Sequence, residues 1–171
     1  IDYDKCVSCG MCLVNCPFGA IADKGQIFQV IHAMKTGTPV YAAVAPAFIG
    51  QFGRDLTPER LREAMKRLGF ADIMEVAVGA DLCTIQEAQD FLEEVPGKHP
   101  FMATSCCPAW AEMARKMFPD LAPCISMALT PMVLTGRLLK REHPGCKVVF
   151  IGPCSAKKLE ASRQEIRSDI D

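Results

Sequence analysis

The stretch "KVVFIGPCSAKKLE" (residues 147–160) decides the fold class of this 171-residue chain. Its first part, residues 147–152, is a short apolar run that ends at a glycine, which is typical of a buried strand. Its second part is charged and amphipathic, and it predicts a helix over residues 155–167. Cys154 lies between the two, at the carboxyl end of a strand, which is where open α/β sheets bind their ligands.

The same order of elements recurs along the chain. Three further apolar runs predict strands at residues 40–45, 73–79 and 100–104, and the periodic segments between them predict helices at residues 57–69, 84–95, 108–118 and 126–142, the last kinked or starting late at Pro131. Strands that alternate with helices indicate a parallel sheet. We therefore predict an α/β fold for residues 26–171, with a mainly parallel four-stranded sheet and helices on both faces.

The composition argues against several classes of function. Half of the residues are hydrophobic and 23% are charged, as in a soluble globular protein. The net charge of -1 gives no support for binding to nucleic acid or to an anionic membrane, and no apolar run approaches the ~20 residues of a membrane span. Ten cysteines favour a cytoplasmic chain whose thiols bind metal or do chemistry, with a secreted disulfide scaffold as the weaker alternative. The chain begins at Ile1 rather than Met, as a segment of a longer protein or a processed chain would.

Four of the cysteines form a single motif near the N-terminus. The run Cys6-x2-Cys9-x2-Cys12-x3-Cys16-Pro17 matches that of bacterial ferredoxins, in which three thiols converge on one [4Fe-4S] cluster and the fourth ligates a second cluster. Structural zinc is the alternative, but zinc sites usually pair two ligands with two distant ones. We therefore predict that residues 1–25 are half of a two-cluster ferredoxin-like module, whose other half would lie before this segment.

Two more cysteines follow the third predicted strand, in "TSCCPAW" (residues 104–110). Because the carboxyl ends of parallel strands meet at one edge of a sheet, Cys106, Cys107 and Cys154 are expected to share a thiolate-bound cofactor between helix N-termini. Neighbouring side chains of an extended segment point in opposite directions, so one thiol of the doublet can be a ligand while the other relays protons. The alternative is a pair of buried structural thiols.

The motifs "TSCCPAW" and "PCSAKKLE" resemble the first two signature motifs of the catalytic domain of [FeFe]-hydrogenases, and the ferredoxin run upstream is similar to that of the same family. The resemblance extends over essentially the whole chain. It implies that residues 26–171 are the N-terminal lobe of the catalytic (H-cluster) domain of an enzyme that reversibly reduces protons to hydrogen. The family's third motif, which supplies the other two cubane ligands, is absent from these 171 residues, so the segment alone is expected to be inactive.

The resemblance also implies roles for single residues. Cys107 and Cys154 would ligate the [4Fe-4S] part of the H-cluster, and Cys106 would pass protons to its di-iron site. The implied partners are a ferredoxin-type or other electron carrier, protons and hydrogen, and the remainder of the parent chain.

Further residues would surround the di-iron site. Lys157 would form a hydrogen bond with one of its cyanides, and Ala45 and Pro46 would line it from the end of the first strand. Glu87 and Asp90 match the family's proton path, although an ordinary exposed helix face is an equal alternative for these two.

Two positions depart from the family pattern. Gly152 stands where a Met usually precedes the Pro-Cys pair, and Met132 stands where a Gln is usual. These departures favour a hydrogen-sensing branch as the second interpretation. A Narf-like iron–sulfur assembly protein is the third, and the retained Cys106 argues against it. The remaining cysteines, Cys83, Cys124 and Cys146, match no motif and are predicted to be buried structural thiols.

Overall fold

A computed structural model describes residues 1–2, 4–163 and 167–171. The strands of its sheet are β1 (Val40–Val44), β2 (Asp72–Glu75) and β3 (Lys147–Ile151). The α-helices are α1 (Met11–Val14), α2 (Ile27–Lys35), α3 (Pro58–Arg67), α4 (Val76–Glu94), α5 (Pro108–Met117), α6 (Pro131–Glu142) and α7 (Ser155–Ser162), and short 3₁₀ helices cover Pro46–Phe48 and Pro119–Cys124. None of the helices formed by the described residues is long and apolar enough to cross a membrane.

The sheet is parallel and carries helices on both faces, which confirms the predicted fold class. Among the described residues it has three strands in the order β2–β1–β3, with β1 in the centre. On one face Ala42 packs with Leu61 and Met65 of α3. On the other face Ala43 packs with Leu139 of α6. The alternating side chains of the central strand therefore fill two separate cores.

The strand predicted at residues 100–104 is a correction to the sequence analysis. In the described part of the chain this run forms a single isolated bridge between Ala103 and Ile125. The N–H of Ala103 donates to the carbonyl of Cys124 (2.8 Å), and the N–H of Ser126 donates to the carbonyl of Ala103 (2.8 Å). Because these two hydrogen bonds use the N–H and the carbonyl of Ala103, the run pairs with the segment before α6 and not with the sheet.

The boundary between β2 and α4 also differs from the prediction. The strand expected over residues 73–79 ends at Glu75, and the helix begins at Val76, eight residues before the predicted start at Thr84. A Cβ at Gly79 would lie 2.3 Å from the carbonyl oxygen of Pro131. The apolar run therefore continues as a helix packed closely on α6, and periodicity alone does not distinguish a short buried strand from a buried helix.

The other helices agree with their predicted starts. Helix α3 begins after Thr57, whose hydroxyl accepts the N–H of Arg60 (3.3 Å), and α6 starts late, at Pro131. Helix α7 ends at Ser162, and residues 164–166 of the predicted helix lie outside the described residues. Helix α2 had no counterpart among the predicted elements.

The N-terminal cysteine segment is attached to α5 and α7. Lys116 of α5 donates a hydrogen bond from Nζ to the carbonyl of Cys6 (3.0 Å). Lys158 of α7 pairs with the Asp23 carboxylate and donates to the carbonyl of Lys24 (3.1 Å). Two lysines therefore hold the segment against the helices that follow the other cysteine motifs.

Candidate functional site

The two predicted cubane ligands occupy equivalent positions in the fold. Cys107 is the N-cap of α5 and Cys154 is the N-cap of α7, and both have an extended backbone. Helices α5 and α7 pack together, and Arg163 at the end of α7 donates to Glu112 of α5 (3.3 Å). The two thiols thus precede the N-termini of two neighbouring helices.

The carboxyl ends of β1 and β3 form the floor of this region. The N–H of Ala45 donates to the carbonyl of Ile151 (2.9 Å), which continues the pairing of the two strands by one residue. Pro46 then opens a 3₁₀ turn, and Gly152 follows on the other strand. A Cβ at Gly152 would lie 3.0 Å from the Cβ of Ala45, so these two strand ends are in contact.

A cavity of about 360 Å³ adjoins Cys154. Its walls include Phe150 and Gly152 from β3 and the following turn, Lys157 from α7, and Val30 from α2. Cys154 is half-buried, whereas Cys106 and Cys107 are exposed. The region is therefore open on the side of α5 and enclosed on the side of α7.

Lys157 is held in place by a buried acid. Its Nζ lies 2.8 Å from Oε2 of Glu160, and the exposed fractions of the two side chains are 12% and 5%. The same carboxylate oxygen accepts a hydrogen bond from the hydroxyl of Thr130 (3.1 Å), which precedes α6. Because a buried charge is tolerated only when it is paired, the ion pair with Glu160 fixes the position of the Lys157 side chain.

The predicted relay and the first predicted carboxylate share one neighbour, Cys83. Burial raises the pKa of the Cys83 thiol, negative charge on Glu87 and Cys106 raises it further, and the positive charge of Lys157 opposes the rise. Cys83 therefore lies within electrostatic range of all three side chains. Oε1 of Glu87 is buried and has no hydrogen-bond partner among the described residues.

The remaining predictions for this region have different outcomes. Asp90 lies about one turn after Glu87 on α4, and its carboxylate accepts a hydrogen bond from the side chain of Gln86 (2.8 Å). Cys83, Cys124 and Cys146 are buried, as predicted. The sequence analysis missed the proximity of Cys83 to the relay, although its spacing of four residues from Glu87 puts both on one helix face.

Backbone N–H groups of the N-terminal loop surround two of its four thiols. The N–H of Ser8 donates to Sγ of Cys6 (3.3 Å). Backbone hydrogen bonds, chiefly from Ala20 and Phe18, lower the pKa of Cys16 and favour the thiolate that binds iron. The donor set consists only of thiols, which fits a cubane. In residues 1–2, 4–163 and 167–171, no three His, Cys, Asp or Glu side chains form a site for a single metal ion.

The N-terminal loop touches the strand-end site directly. Gly10 lies between Cys9 and Cys12 and has a φ of 80°. A Cβ at Gly10 would lie 2.7 Å from the hydroxyl oxygen of Ser155, the residue after Cys154. Only glycine allows this approach, which puts the ferredoxin-type loop one residue away from a predicted cubane ligand.

Comparisons with known proteins agree with these two motifs. Residues 1–22 match the 4Fe-4S binding domain, and residues 38–171 match the family described as iron only hydrogenase large subunit, C-terminal domain. The chain is 31% identical over 185 residues to the NADP-reducing hydrogenase subunit HndD of Solidesulfovibrio fructosivorans, covering 94% of this chain and 31% of the relative. It is 32% identical over 171 residues to iron hydrogenase 1 of Clostridium pasteurianum, covering 90% and 30%.

A relative of a different kind is also similar. The cytosolic Fe-S cluster assembly factor NAR1 of Kluyveromyces lactis is 38% identical over 163 residues, covering 95% of this chain and 28% of the relative. The chain thus spans about a third or less of the length of each of these three proteins.

Proposed function

Because this chain belongs to the family of the iron only hydrogenase large subunit, C-terminal domain, we propose that the whole protein catalyses the reversible reduction of protons to hydrogen. Its cofactors are [4Fe-4S] clusters and, in the full-length protein, the H-cluster. The observation that carries the proposal is the matched position of Cys107 and Cys154, each the N-cap of one of two packed helices. That arrangement suits two ligands of one cubane.

The residues of this chain would hold the cofactor from one side. Cys107 and Cys154 would ligate the cubane, Lys157 would donate a hydrogen bond to the di-iron site, and Ala45 and Pro46 would line it. When bound, the H-cluster supplies the redox centre at which protons and electrons combine. The remaining ligands would come from the rest of the parent chain, so the 171 residues alone are proposed to be inactive.

Protons would travel along side chains of this segment. Cys106 would carry the proton at Sγ, and Glu87 would exchange it at Oε1, with Asp90 next on the same helix. Oε1 of Glu87 supports a place for this residue in the path, because a buried oxygen without a partner among the described residues calls for a water or another polar group beside it. The shared neighbour Cys83 supports it as well, since it interacts with both groups.

Electrons would enter through the N-terminal loop. Cys6, Cys9, Cys12 and Cys16 would bind ferredoxin-type clusters that a ferredoxin or another electron carrier reduces. The contact between Gly10 and Ser155 supports a short route from this loop to Cys154. A cytoplasmic location is part of the proposal, because ten free thiols persist best in a reducing compartment.

Two other functions have an observation in their favour. Gly152 and Met132 replace residues usual in catalytic members, which favours a hydrogen sensor with slow turnover. The similarity to NAR1 favours a role in iron–sulfur assembly. Retention of a thiol at Cys106, which interacts with Cys83 as Glu87 does, speaks for proton chemistry over assembly alone.

The test is the parent protein, matured without oxygen and assayed for hydrogen evolution with reduced methyl viologen. Cys106→Ser should remove nearly all turnover and leave the iron content unchanged, because a hydroxyl is a much weaker acid than a thiol. Ser105→Ala, one residue away, is the matched control and should keep its activity. Undiminished turnover in Cys106→Ser would exclude the relay, and absence of turnover in a wild-type protein with full iron content would favour assembly.

A further inference from the structure

The ring of Phe150 occupies the space next to Gly152. A Cβ at Gly152 would lie 2.6 Å from Cζ and 2.8 Å from Cε1 of Phe150, distances shorter than any ordinary carbon contact. On the other side it would lie 3.0 Å from the Cβ of Ala45. A side chain at position 152 therefore has no room while the ring is in this place.

The backbone cannot relieve this crowding by moving away. The N–H of Ala45 is bonded to the carbonyl of Ile151 (2.9 Å), which fixes the distance between the two strand ends immediately before Gly152. Phe150 itself packs against the core that Ala43 and Val148 form on the α6 face of the sheet. The position of the ring is thus set by the sheet and its core.

The same ring reaches the candidate site. Phe150, Gly152, Cys154 and Lys157 line one cavity, so the ring that excludes a side chain at position 152 is also a wall of the space beside the predicted cubane ligand. A phenyl ring presents a large apolar surface and no hydrogen-bonding group. Water held against this wall lacks partners on that side.

We propose that Phe150 is an apolar wall of the cavity that adjoins Cys154, and that Phe150 and Gly152 act as one unit in which the ring takes the volume that a side chain at position 152 would fill. The proposal rests on the proposed function, in which Cys154 and Lys157 of this cavity would hold the H-cluster. Phe150 would then be a positioning residue whose apolar ring limits the access of water to a cofactor bound at Cys154. Gly152 stands where the family usually has a Met, and the ring of Phe150 at the same strand end then fills the volume of the missing side chain.

Infrared spectroscopy of the cofactor's cyanide ligands tests the wall in the anaerobically matured parent protein. Phe150→Ala should shift or broaden the cyanide stretching bands because water reaches the site, and Gly152→Met should do so because it displaces the ring. The double variant, Phe150→Ala with Gly152→Met, should return the bands to the wild-type positions. Phe70→Ala, a partly buried ring on the α3 face, is the matched control and should leave the bands unchanged.

Thermal unfolding of the same variants tests the coupling without relying on the cofactor. Gly152→Met should lower the Tm by about 5 °C, because overpacking destabilises a well-packed region. The double variant should lose less than the sum of the two single losses, since the methionine fills the space that the ring leaves. Gly97→Met, where a Cβ would meet nothing within 4 Å, should have a near-wild-type Tm.

The outcomes distinguish the role of Phe150 from the proposed function of the whole protein. Strictly additive losses in Tm would overturn the Phe150–Gly152 unit, and unchanged bands in Phe150→Ala would overturn the wall. Absence of cyanide bands from the wild-type protein would reject the proposed function itself and with it the role of the wall. The Tm cycle would still report on the steric coupling of the two positions.

Discussion

Lys157 and Glu160 form an ion pair whose Nζ–Oε2 distance is 2.8 Å and which is almost wholly removed from solvent. The two residues are three positions apart on α7. The hydroxyl of Thr130, which precedes α6, also donates a hydrogen bond to Oε2 of Glu160. The side chain predicted to meet the di-iron site is therefore oriented by a second residue that does not itself line the cavity beside Cys154.

Glu160→Gln should destabilise the fold strongly. The substitution leaves the ammonium of Lys157 buried without its counter-charge, which costs about 3 kcal/mol or more in the free energy of unfolding. Chemical denaturation measures the effect. Glu94→Gln is the matched control, because its partner Lys98 is 65% exposed and such a pair contributes about 0.5 kcal/mol. Equal losses in the two variants would contradict the burial of the pair.

Gly79→Ala should lower stability although alanine favours helices. Alanine gains up to about 1 kcal/mol in helix propensity, but its methyl group would lie 2.3 Å from the carbonyl oxygen of Pro131 and 2.4 Å from the hydroxyl of Thr135. Overpacking of this kind costs about 1–3 kcal/mol, so the net change should be unfavourable. Denaturation of Gly79→Ala beside Gly97→Ala, which has open space, would show the difference. A stabilised Gly79→Ala would mean that α4 and α6 pack less closely.

Asp171 should make stability depend on pH in acid. Burial disfavours its charged form, but hydrogen bonds from Lys140 Nζ (2.5 Å), Lys147 Nζ (2.7 Å) and the N–H of Val148 (2.9 Å) outweigh burial and hold the pKa of Asp171 below its ordinary value. A carboxyl group with a lowered folded-state pKa stabilises the fold above its unfolded pKa, and the contribution is lost as the pH falls through the folded value.

The test measures the free energy of unfolding as a function of pH for the wild-type chain and for Asp171→Asn. The variant should be less stable near neutral pH, and the two curves should converge below about pH 4, where the carboxyl group takes up its proton. Asp81→Asn, on the exposed face of α4, should follow the wild-type curve throughout. A constant difference at all pH values would show that the ionised carboxylate is not the source of the stabilisation.

Lys116→Gln should loosen the N-terminal segment without unfolding the sheet. Its ammonium donates to the carbonyl of Cys6 (3.0 Å) and also lies 3.5 Å from the Glu112 carboxylate, so removal of the charge frees the loop and leaves the core intact. Limited proteolysis should cleave within residues 1–25 several times faster than in the wild-type chain. Lys5→Gln, whose side chain is 87% exposed, is the control. An unchanged cleavage rate would show that other contacts hold the segment.

The sequence was sufficient for the elements whose local signals agree with their tertiary environment. Strands β1 and β3, the start of α3 near Thr57 and the late start of α6 at Pro131 were predicted because the local preferences of these residues agree with their place in the fold. Residues 76–79 were assigned to a strand because their burial comes from α6, which contributes nothing to their local pattern. Residues 100–104 were assigned to the sheet because their composition indicates an extended buried segment. Composition does not indicate which segment pairs with it, and the partner of Ala103 is Ile125.

The candidate site likewise contains residues that the sequence predicts and residues that only the fold brings together. The thiols of the motifs could be found from their spacing, since ligands of one loop are close in sequence. The electrostatic interaction of Cys83 with Cys106 and the closeness of the Phe150 ring to Gly152 join residues through space, and each depends on how strand ends and helices approach one another.

The contact of Gly10 with Ser155 limits how this protein can be rebuilt. A ferredoxin-type segment grafted from another protein would need a glycine at the matching place in its loop and a small residue opposite it, because a φ of 80° and a 2.7 Å approach leave no space for a side chain. The two modules are therefore exchangeable only as a matched pair, and a graft that ignores this contact would separate the N-terminal cysteine segment from the turn that carries Cys154 and Ser155.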